Sequence, residues 1–151
     1  MAGEGYPFET LMREIVVSRL RGAKDAPEQA AKIAVQAIVV GIKGTQAAGA
    51  QQSPAESVRR IAKGIIEGMV LLDGDVASTV VEILRRTADA GNQVSLDPAD
   101  MMTWVMEGIA TNAKILQPQQ LNKIHDAIDV AFMGAGQIFI NLAEKAKHGD
   151  L

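Results

Sequence analysis

The chain contains no cysteine, which excludes disulfides, thiolate metal sites and a cysteine nucleophile, and with them a small secreted disulfide scaffold. Aromatic residues are nearly missing too, at 3% against 48% apolar residues overall. A core must then be assembled from Ala, Val, Ile, Leu and Met, a palette that suits closely packed helices. No sign of charge dominates: 11 basic and 11 acidic residues precede Gly91, with 4 and 7 from there on. Neither half carries a basic footprint for nucleic acid, so none is expected as a partner. Long hydrophobic runs are absent as well. The most apolar stretches, Ile33–Ile42 and Val130–Leu142, fall short of the roughly 20 residues that cross a bilayer, so no transmembrane segment is expected. Met1–Phe8 holds Glu4 and two glycines where a signal peptide needs a positive start and an apolar run. A cytoplasmic protein is the simplest expectation.

What is present is regular spacing. Apolar residues recur every three or four positions, as in Phe8, Leu11, Met12, Ile15 and Val16, the stripe of an amphipathic helix rather than the alternation of a strand. Ser53-Pro54-Ala55-Glu56 and Asp97-Pro98-Ala99-Asp100 each supply a capping side chain followed by proline in the first turn, where a missing N–H costs nothing. Gly22 and Gly91, after basic residues, read as helix ends. Helices are predicted at about 8–21, 26–49, 54–72, 75–90, 98–116 and 118–147, with boundaries good to ~2 to 4 residues. The weakest break is Asp73-Gly74-Asp75, because glycine costs only about 1 kcal/mol inside a helix.

The expected fold is therefore all-α, with about six helices arranged as three antiparallel hairpins in one compact bundle over residues 1–151. Residues 1–6 and 148–151 are expected to be mobile ends, and a short array of stacked hairpins is the alternative packing. Pro54 and Pro98 lie 44 positions apart, and at that offset Ile61 meets Val105, Gly64 meets Gly108 and Ile65 meets Ile109. A duplication of the last two hairpins would explain this, as would chance similarity of two capped amphipathic helices. An earlier match, Pro7 with Pro54, fails downstream. The second segment is apolar around most of its circumference and is expected at the centre of the bundle.

Chemistry is sparse. His125 and Asp129 sit one turn apart, as do Glu144 and His148, and the first pair is the candidate polar site, but two ligands do not hold a metal and no Glu-x-x-His is present. No nucleophile elbow or phosphate loop occurs, and the glycines of Gly134-Ala135-Gly136 read as helix-packing positions. No cofactor and no catalytic residue are expected. Met101 and Trp104, on the flank of a methionine-rich helix, are the candidate partner surface, since methionine repacks easily and tryptophan favours interfaces. The expected function is a non-catalytic helical interaction or assembly module that associates with itself or another protein. The alternative is a bundle that binds an apolar ligand or a lipid or granule surface.

Overall fold

The computed structural model describes residues 7–48 and 53–151, so the expectation for residues 1–6 lies outside the described residues. Among these residues the structure is all-helical: α1 (Phe8–Leu20), α2 (Ala26–Ala48), α3 (Pro54–Leu71), α4 (Val76–Val94), α5 (Pro98–Ala110), α6 (Pro118–Phe132) and α7 (Gly136–Lys147). Local chemistry sets the starts. Ser53 Oγ accepts the Glu56 N–H at 3.2 Å, Asp75 accepts that of Ser78 at 3.0 Å and Asp97 that of Ala99 at 2.8 Å, each satisfying a donor that the first turn leaves unpaired. The break before α4 is real. Asp73 adopts a left-handed φ of 54°, and the Gly74 N–H turns back to the Met69 carbonyl at 2.9 Å.

Three boundaries differ from the sequence reading. Helix α4 runs through Gly91 to Val94 and ends on a left-handed Ser95 instead. Gly91 serves a close approach there, since a Cβ would lie 2.9 Å from the Leu96 carbonyl oxygen. Helix α5 stops at Ala110 and tightens into turns, where buried Asn112 reaches across to α3. The single predicted helix 118–147 is two. Met133 (φ 42°) and Gly134 (φ 92°) are both left-handed, and Asp129 Oδ1 accepts the Gly136 N–H at 2.7 Å to start α7.

The hairpins are stacked. Helix α1 packs on α3, α3 on α5 and α5 on α7, while α2 packs on α4 and α4 on α6. Contacts of α2 with α3, and of α4 with α5, join these two rows. The enclosed elements are α3 and α4, not α2; α4 touches α2, α3, α5 and α6. Helix α3 touches α1, α2, α4 and α5 and buries Val58, Ile61, Ala62, Ile65, Ile66 and Met69. Helix α2 buries one side, through Ala30, Ala31, Ala34, Ile38 and Ile42, and leaves Val40 71% exposed. Its apolar circumference exceeds what its neighbours cover. No helix among the described residues is long and apolar enough to cross a membrane.

Candidate functional site

The most constrained contacts are the crossings within the α1–α3–α5 row, and both are set by glycine. A Cβ on Gly64 would strike the Glu9 backbone, and one on Gly108 would strike the Arg59 backbone. One turn further on, Gly68 faces the Arg13 carbonyl, and Asn112 Nδ2 donates to the Lys63 carbonyl at 3.2 Å. The two crossings therefore share one register, and in each the helices run in the same direction. The residue before each crossing glycine pairs ionically with the residue that glycine touches: Lys63 with Glu9 at 2.9 Å, and Glu107 with Arg59 at 3.1 Å.

Around the first crossing the charges crowd. Glu67 Oε2 lies 3.9 Å from Lys63 Nζ, and its Oε1 lies 3.7 Å from Arg13 Nη1. That Oε1 is buried without a hydrogen-bond partner. Burial, then the hydrogen bond and charge of Glu9, push the Glu67 carboxyl up to about 7, with Lys63 and Arg13 opposing. For Glu9 burial again favours the neutral acid, yet hydrogen bonds to Lys63 and Glu67 and the two cations together hold its carboxyl below the ordinary range. Lys63 and Glu67 stand one turn apart on α3, a spacing that by itself suits an exposed ion pair. In the structure the Glu67 side chain is 16% exposed, and Lys63 turns instead to another helix.

Beside the second crossing lies an open hollow of about 520 Å³, with Arg59, Arg60 and Lys63 on one side and Thr111, Asp150 and Leu151 on the other. Its cations are engaged, Arg60 with Glu56 at 2.6 Å, Arg59 with Glu107 and Lys63 with Glu9.

The residues singled out from sequence do not form one site. Met101 is 0% exposed, with its sulfur close to Gly91, so it offers no partner surface; Trp104 is partly buried against the core. Helix α5 meets both α3 and α4, which widens its buried arc beyond the stripe read from periodicity. His125 Nδ1 pairs with Asp126 at 2.9 Å and its Nε2 lies 3.8 Å from Asp129, but Asp129 is already the start signal of α7. Among the described residues no group of three or more acidic or histidine side chains is placed to hold a metal.

Exposed apolar surface lies elsewhere. At the α6–α7 turn Val130 is 87% exposed and Met133 95%, and Ile138 on the first turn of α7 is also exposed. No protein family, curated protein or solved structure matches the chain.

Proposed function

We propose that the protein is a non-catalytic, cytoplasmic assembly module that associates with a second copy of itself through the α6–α7 end of the stack. The observation that carries this reading is Met133. A non-glycine residue in the left-handed region is disfavoured, and a large apolar side chain in water gains nothing from burial. Met133 bears both costs at once. Such a residue is accounted for when a contact covers it, and methionine adapts readily to a facing surface. Val130 stands three residues before it, in the last turn of α6, and is exposed as well.

The opposite end of the row supports a closed pair rather than a filament. In the shared register, the positions of α1 equivalent to Gly64 and Gly68 are Glu14 and Ser18, both exposed. A polar terminal face is how stacked repeats stop growing. With α1 polar at that end of its row and the α6–α7 turn apolar, the contact that fits is isologous, the same patch on both copies.

Light scattering behind size-exclusion chromatography tests the reading: the wild type should run as a dimer and Val130→Glu/Met133→Glu as a folded monomer. A wild type that stays monomeric at high concentration, or floats with neutral lipid vesicles, would replace self-association with the apolar-ligand or lipid-surface reading.

A further inference from the structure

The α1–α3 crossing combines an unusually short helix approach with an incompletely paired carboxylate. Gly64 lets the Glu9 backbone sit directly on α3, and Gly68 makes room for Val16 and the Arg13 carbonyl, so the two helices hold Glu9 and Glu67 on one crowded crossing. Lys63 Nζ is within hydrogen-bond reach of Glu9 but not of Glu67, and Arg13 is beyond it as well. With both carboxyls ionised, the part-buried Glu67 carries a charge beside a like charge, with its Oε1 buried and unpaired, a costly arrangement. With one proton between them, Glu67 donates to Glu9 while Glu9 also accepts from Lys63.

We propose that this crossing is a pH-sensitive latch: the shared proton clamps the terminal helix α1 onto α3, and loss of the proton loosens α1 from the stack. The groups facing Glu67 are Glu9 and Arg13 from α1 and Lys63 from its own helix. From the other helices packed on α3, Glu107 of α5 is taken by Arg59. The α4 charges are Glu82, paired with Arg86, and exposed Arg85 and Asp89; Glu28, Lys32 and Lys43 of α2 are exposed. The direction follows from linkage. Because burial and the neighbouring Glu9 push the folded-state Glu67 carboxyl up to about 7, stability from this group is complete below the ordinary glutamate value and declines as pH rises from there through 7. Glu9, shifted the other way, contributes above its ordinary value and loses that contribution only in acid.

The experiment compares wild type with Glu67→Gln, which fixes the neutral state, at about pH 5.5 and about pH 8.5. The wild-type thermal midpoint should fall by about 4 to 8 °C over that interval, and the variant's should not. Amide protection, corrected for intrinsic exchange, should drop about tenfold in α1 while α5 holds. If Glu67→Gln does not fold, Glu9→Gln serves, since removing the like charge lowers the Glu67 carboxyl toward the ordinary range while burial still raises it, so the fall over the same interval should be smaller than in wild type. A carboxyl carbon NMR titration of wild type gives the proton directly. A Glu67 inflection in the ordinary glutamate range, a slope undiminished in the folded variant, or equal loss of protection in α1 and α5 would overturn the latch.

Discussion

The two crossings of the odd-numbered row are the same backbone object with different chemistry. Both place glycine on a neighbouring backbone, both follow it one turn later with a second close approach, and both pair an ion across the gap. In the second crossing, Asn112 satisfies the Lys63 carbonyl and Glu107 has Arg59 to itself. In the first, Gly68 supplies only space, and two carboxylates divide Lys63 and Arg13. Geometry is therefore repeated while electrostatics is not, and the crossing with the poorer pairing is the one that answers to pH.

Adding bulk attacks what the crossings share. Gly64→Leu and Gly108→Leu should each cost about 3 kcal/mol, at the upper end for overpacking because the obstacle is backbone and not a movable side chain. Urea unfolding checks this, and a variant within about 0.5 kcal/mol of wild type would mean that the crossing is looser than described. Asn112→Gly, which copies the first crossing into the second, should cost about 1 to 2 kcal/mol through the lost hydrogen bond and the added backbone freedom of glycine. The smallest effect belongs to Glu107→Gln. Its partner Arg59 is substantially exposed, so the loss should be under about 1 kcal/mol and should shrink in salt. Between about pH 6 and 8 that variant should keep the wild-type pH response, because the response resides in the other crossing.

Much of this architecture was legible in the sequence. The stripes of α1, α3 and α5 and the caps Ser53 and Asp97 announce themselves, and the Gly64–Gly108 correspondence at an offset of 44 is the same contact made twice. Pro7 and Pro54, 47 positions apart, suggest a different register for the first hairpin. The structure aligns α1 with α3 differently: Arg59 stands 50 positions after Glu9, and Lys63 50 after Arg13. At that offset Phe8, Leu11 and Ile15 meet Val58, Ile61 and Ile65, so a three-residue error in register hid one repeat of the stack.

Other features could not be read because they belong to tertiary structure. The stripe of Phe132, Ala135, Ile138 and Phe139 carries on in helical spacing across the α6–α7 break, so periodicity conceals a turn that Gly134 and the Asp129 cap create. Helix α2 looks enclosed by composition, yet its exposed Val40 depends on how many neighbours it has. Met101 and Met102 are adjacent in sequence, and only the closeness of the α4 end decides that the first is the buried one. Spacing also identifies the Lys63–Glu67 pair without saying whether it faces water or another helix. The candidate site fared worst for that reason, since its charges meet between helices distant in sequence.

The self-association claim is tested most directly by a single engineered thiol, which the absence of cysteine makes unambiguous. Met133→Cys should cross-link rapidly to its own copy under mild oxidation, because a twofold contact centred on the α6–α7 turn brings the two sulfurs together, while Val40→Cys on α2 should not. A Met133→Cys protein that stays monomeric in the denaturing gel, or a Val40→Cys protein that cross-links as readily, would contradict the account.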